Sequence, residues 1–169
     1  MAIILMGNSM DTPLSGKVFF LQIVGAFSTC YLASVLFDII YVLYINASSG
    51  ANYALTGIFN GYPGGFSPEY RWDAFLFSPI VETLVFQVFL FKLLNNRIYK
   101  LWLVVLVISI LFGWFHTFNY SPVNAVRAGV IITPITLIYI YGIERIGWKL
   151  SALSVMIAHS LLNVALVIF

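Results

Sequence analysis

Charge is what this sequence lacks. Lysine, arginine, aspartate and glutamate together make up 8% of its 169 residues, against about 25% in an ordinary water-soluble domain. So thin a complement cannot coat a soluble surface, which excludes a soluble enzyme and a charged disordered segment. The net charge of +2 offers no basic face for nucleic acid, so no nucleic-acid partner is expected. Cysteine is nearly missing too: Cys30 stands alone, and no internal disulfide can form. The first 17 residues show no basic stretch leading to a small-residue cleavage site, so no removable signal peptide is expected. What fills the chain instead is hydrophobic. Apolar residues are 62%, aromatics 17%, and mean hydropathy is +1.00. This is the composition of an integral, multi-pass membrane protein.

A membrane-spanning helix needs about 20 mostly apolar residues. Five runs qualify: 18–45, 74–94, 101–119, 123–143 and 150–169. Lipid offers no hydrogen bonds, so runs of this length must be helices, and the absence of strict alternation argues against a β-barrel. The fold class expected is all-α, a polytopic transmembrane bundle of about five to six helices forming a single domain over 1–169. Residues 46–73, with Gly50, Gly57, Gly61, Pro63, Gly64, Gly65 and Pro68, predict an interfacial loop with a short amphipathic piece around Tyr53 to Phe59. Basic residues set the orientation. Lys17, the group Lys92, Arg97 and Lys100, and the pair Arg145 and Lys149 fall on one side of a five-span chain. The positive-inside rule makes that side cytoplasmic, with the amino terminus inside and the carboxyl terminus outside. A chain this compact suits a prokaryotic cell membrane.

Polar side chains at membrane depth are costly, about 2.5–3.5 kcal/mol each on insertion scales, and mark function by default. Asp38, Glu82, His116, Arg127, His159 and Asn163 are the ones that matter. Glu82 lies eight residues into the second run, roughly 12 Å at 1.5 Å per residue. His116 lies within about one turn of the end of the third. His159 and Asn163 lie roughly 15 and 9 Å from the end of the fifth. The second run travels inward while the third and fifth travel outward, so all four residues converge on one leaflet. His159 and Asn163 are four apart and share a helix face, and Phe112 sits one turn beneath His116. Glu82, among Val81, Val85 and Phe86, is a candidate general base, with His116 helping to hold or deprotonate a water. His159 and Asn163 can donate to an oxyanion. Hydrolysis of a peptide bond by water needs such a set.

These residues resemble the motifs of the CPBP family, the CAAX-protease and bacteriocin-processing intramembrane proteases. The segment from Pro79 through Glu82 to Gln87 is similar to that family's first motif. Phe112–His116 resembles the second, F-x-x-x-H, and His159–Asn163 the third, H-x-x-x-N, in the same order, with a Gly- and Tyr-bearing helix between them. The motif-bearing part is about 74–169. The resemblance implies a glutamate-type intramembrane endopeptidase acting on a membrane-embedded or membrane-anchored peptide or protein. In it Glu82 and His116 would activate water, His159 and Asn163 would stabilise the tetrahedral intermediate, and no cofactor would be required. One departure stands out: the family's first motif is E-E-x-x-x-R, whereas here Thr83 and Gln87 take the second acid and the arginine. Both are neutral, so no unpaired charge is left, and a Thr83–Gln87 contact is expected in place of the ion pair.

Two other readings use the same residues. Glu82, His116 and His159 could form a zinc site, since zinc accepts a carboxylate with two imidazoles, although H-E-x-x-H is absent. A non-catalytic membrane scaffold or immunity protein could keep the fold, a reading supported by the loss at Thr83 and Gln87. An isolated intramembrane His or Asn is ordinarily an interhelical hydrogen bond worth about 0.6 kcal/mol. Asp38 and Arg127 lie near the outer ends of their runs and are expected to snorkel to the interface or pair with each other. A more pointed role would be for Arg127 to meet a substrate carboxylate.

Overall fold

The computed structural model describes residues 13–98, 100–117 and 122–168, apart from 50–72. The amphipathic piece around Tyr53 to Phe59 therefore lies outside the described residues. Every element within them is helical, with no strand. Helix α1 spans Pro13–Ser49, longer at both ends than the expected 18–45 and taking in the first residues assigned to the loop. Nothing in its flanks stops it: Pro13 supplies a start compatible with proline's fixed φ, and Asn46, Ala47 and Ser48 continue the last turn. Helix α2 runs over 73–95 and changes gauge along its length. Asp73–Phe77 is π-helical, Ser78–Glu82 a single α-helical turn, Thr83–Leu90 π-helical again, and Phe91–Asn95 α-helical. Helix α3 is Leu101–His116, rising roughly 24 Å, short of the expected end at 119.

A 47-residue helical stretch, Pro122–Ile168, follows, but Gly147 within it has φ 77° and ψ 159°. Those angles break the helix, and glycine adopts them without steric cost. Ser151 Oγ donates to the Tyr139 carbonyl at 2.7 Å, whereas 12 helical residues would otherwise separate the two by roughly 18 Å. The stretch is therefore two legs folded back on each other, α4 (122–146) and α5 (148–168). Among the described residues three helices are long and apolar enough to cross a membrane, with α3 a shorter apolar one. Counted with the break at Gly147, the helical runs expected from the sequence are all present.

The bundle has an apolar outer surface, and its apolar core also takes in polar side chains. Phe20, Leu36, Ile40, Phe89, Ile110 and Trp114 are exposed, while Gln22, Ser34, Asp38, Glu82, Gln87 and Thr136 are buried. Lipid solvates the first set, and neighbouring helices supply the hydrogen bonds that the second set cannot obtain from lipid. Helix α1 buries a stripe at every fourth residue, namely Gln22, Ala26, Cys30, Ser34, Asp38 and Val42. It lies antiparallel on α4: Gln22 donates to the Ile138 carbonyl at 3.0 Å, and Arg127 reaches Asp38 at 2.7 Å. Small residues bring α3 and α4 together, as they do in many membrane helix pairs. A Cβ on Gly113 would stand 2.7 Å from the Ala125 carbonyl oxygen, and one on Gly129 2.9 Å from that of Ser109. Ser109 and Thr133 share a hydroxyl hydrogen bond of 2.8 Å across the same seam. This close antiparallel crossing fixes the C-terminal end of α3, where Phe112 and His116 sit.

Candidate active site

Three helices meet at one carboxylate. Glu82, on the α-helical turn of α2, is 8% exposed. Its Oε1 lies 3.8 Å from His116 Nε2 on α3, and its Oε2 lies 3.5 Å from His159 Nε2 on α5. Ser78, one turn earlier on α2, donates its hydroxyl to Oε1. Asn163 is one turn beyond His159 and half-buried. Phe112 lies against both imidazoles, with ring centroids 4.4 Å from His116 and 6.4 Å from His159. Phe86 packs edge-on to Phe112 at 5.0 Å. Of the apolar neighbours expected around Glu82, only Phe86 turns inward; Val81 and Val85 are exposed on the lipid side.

The hydrogen bonds orient the two imidazoles differently. His116 Nδ1 lies 2.9 Å from the Phe112 carbonyl oxygen. A carbonyl can only accept, so Nδ1 carries a proton and Nε2 is the ring nitrogen turned toward Glu82. His159 Nδ1 is buried without a hydrogen-bond partner. A proton placed there would be an orphaned donor, whereas a proton on Nε2 faces a carboxylate. His159 is therefore a donor toward Glu82, while His116 donates from Nδ1 to its own helix and turns Nε2 to the site. The 3.8 Å gap between Glu82 and His116 is too long for a direct hydrogen bond. A water bonded to both atoms is the bridge that this separation allows geometrically.

The remaining polar residues fall outside this set. Asp38 and Arg127 pair with each other at 2.7 Å, and Arg127 also donates to Ser34 at 2.7 Å. Asp38 is 1% exposed, so of the two expectations for it pairing is seen and snorkelling is not. The pair occupies Arg127 within the bundle. The expected Thr83–Gln87 contact is replaced by another. Gln87 Nε2 reaches Thr136 on α4 at 3.5 Å, and Thr83 Oγ1 is buried without a partner. The wide π-helical stretch after Glu82 aims Gln87 at α4 rather than back along its own helix. Among the described residues no group of three or more His, Cys, Asp or Glu side chains converges closely enough to hold a metal ion. Ser78 was missed from the sequence, although its spacing of four from Glu82 was there to be read.

The profile of the family described as type II CAAX prenyl endopeptidase Rce1-like matches residues 71–165. The chain belongs to that family. The matched stretch takes in α2 through most of α5, and so every side chain gathered around Glu82, while α1 lies outside it. Comparison with curated proteins and with solved structures finds no match. Membership, together with apolar helices long enough to span a bilayer, makes this Rce1-like chain an integral membrane protein of the CAAX-type intramembrane protease class.

Proposed function

We propose that the chain hydrolyses a peptide bond in a membrane-embedded or membrane-anchored substrate by glutamate-activated water. The observation carrying this reading is the buried Glu82 carboxylate set between two imidazoles at 3.8 and 3.5 Å. A water in the Glu82–His116 gap gives up a proton to the Glu82 carboxylate as its oxygen attacks the carbonyl carbon. His159 Nε2–H, with Asn163, donates to the oxygen of the tetrahedral intermediate. The intermediate collapses with cleavage of the C–N bond, and the proton held on Glu82 passes to the departing amine. The whole reaction draws on these side chains. The site opens toward the extracytoplasmic leaflet if Lys92, Arg97, Lys100, Arg145 and Lys149 face the cytoplasm. A reporter fused after Phe169 tests that sidedness, and a cytoplasmic signal overturns it.

The decisive experiment compares the parent with Glu82→Gln on a panel of membrane-anchored peptides, prenylated tails and peptide precursors included. Cleavage by the parent and a loss of about 10³-fold or more in Glu82→Gln is the expected result. Equal cleavage by both proteins would remove Glu82 from the mechanism. Metal analysis of the active protein then separates this chemistry from a zinc hydrolase.

A further inference from the structure

We propose that Ser78 is a positioning residue that holds the Glu82 carboxylate in its working orientation between the two histidines, an inference that rests on the reading of Glu82 as the base. Serine and threonine hydroxyls inside helices ordinarily bond back to a carbonyl three or four residues earlier. The bundle follows that habit at Thr29, Ser109, Thr133, Thr136, Ser154 and Ser160. Ser78 does the reverse. Its hydroxyl reaches forward to a side chain, Oε1 of Glu82, the same oxygen that faces His116 Nε2 across the 3.8 Å gap.

The backbone is arranged for that contact. The one short α-helical turn between the two π-helical stretches of α2 is Ser78–Glu82. An α-helical turn stacks residues i and i+4 on one face, so the turn spans the serine and the carboxylate and no more. Glutamate has three rotatable side-chain bonds, and its carboxylate would otherwise be free to swing. With Oε1 tethered from below by Ser78 and Oε2 beside His159, the carboxylate plane is set and Oε1 keeps a lone pair for the water. A positioned base at this distance contributes through geometry rather than binding. Loss of the tether is therefore expected to lower kcat and leave KM alone.

The test uses the purified full chain and three variants, Ser78→Ala, Ser78→Thr and Glu82→Gln. The first readout needs no substrate. The infrared carboxyl band of Glu82, isolated by subtracting the Glu82→Gln spectrum, is expected to shift in Ser78→Ala and to return in Ser78→Thr. The second readout is cleavage. Ser78→Ala is expected to lose about 10- to 100-fold in kcat with KM within about twofold of the parent, and Ser78→Thr to recover most of the loss. An unshifted band, an unchanged kcat, or a threonine variant as impaired as the alanine one each overturns the proposal. A Glu82→Gln variant that cleaves like the parent overturns the underlying reading of Glu82, whereas inactive Glu82→Gln beside parent-like Ser78→Ala removes Ser78 alone.

Discussion

Among the described residues two acids, Asp38 and Glu82, are buried, and their surroundings could hardly differ more. Asp38 meets Arg127 at 2.7 Å, and the same guanidinium reaches Ser34 at 2.7 Å. The charges close to contact, and the cluster locks α1 onto α4. Glu82 instead keeps its two imidazoles at 3.5 and 3.8 Å, near enough to feel each other and too far to close. Burying a charge among apolar groups is costly unless it is partnered. Asp38 meets that cost with a contact ion pair, and Glu82 with the Ser78 hydroxyl and two more distant imidazoles. Contact distance separates a charge that holds helices together from one that, in the proposed mechanism, activates a water, even though both are intramembrane carboxylates.

The contrast can be broken most sharply at His116. His116→Ala removes the imidazole that would share the water with Glu82. Cleavage is expected to fall about 10²- to 10⁴-fold, while resistance to unfolding in detergent changes by only about 1 kcal/mol, because the 2.9 Å hydrogen bond lost is a local one to the Phe112 carbonyl on the same helix. A protein that unfolds more easily yet cleaves normally would assign His116 to structure and dissolve the distinction.

Asp38 should behave in the opposite way. Asp38→Ala leaves Arg127 buried without its counter-charge, and breaking a buried pair from one side costs about 3–5 kcal/mol. The loss is read as a lower unfolding midpoint in mixed micelles. Adding Arg127→Leu to Asp38→Ala is expected to restore most of it, since an apolar replacement of both partners leaves no orphaned charge. Cleavage per folded molecule should stay close to the parent in the double variant. If cleavage collapsed while the fold survived, Arg127 would have a role at the substrate after all.

How much of this was legible in the sequence follows from the same physics. Glu82, His116 and His159 could be found because a polar residue in an apolar run is conspicuous, and counting residues along alternating helix directions brings them to one leaflet. The Asp38–Arg127 pairing was foreseeable as one of two outcomes but not decidable, because depth estimates cannot say which faces of α1 and α4 meet. The ends of α1 differ in legibility: Pro13 at the first helical position is a readable start, whereas the end at Ser49 is marked only by Gly50 next in sequence, the first of several glycines in the segment that follows. The change of gauge in α2 was hidden more deeply. Nothing in Thr83–Leu90 marks a π-helical backbone, and the expected Thr83–Gln87 contact failed for that reason. Ser78 sat at a legible spacing but lacked a reason for notice, because most helix serines merely bond to their own backbone.

The smallest effect tests the finest point of the comparison, what lies on the next face of α2. Thr83 is fully buried, and its hydroxyl has no hydrogen-bond partner. A buried hydroxyl left unsatisfied costs about 1–3 kcal/mol relative to one that is paired. Valine has the same branched shape without the oxygen, so Thr83→Val is expected to be neutral or to stabilise the bundle by about 1 kcal/mol, measured by the same detergent unfolding. Cleavage should be unaffected, because Thr83 touches neither histidine nor the water gap. A loss of more than about 1 kcal/mol would mean that the hydroxyl does have a partner. The nearest means of supplying one is an internal water shared with Gln87 Oε1, which is likewise buried and without a partner. The neutral locus beside Glu82 would then be a hydrated one, and the open character of this site would extend a turn deeper into the membrane than the three-helix geometry alone requires.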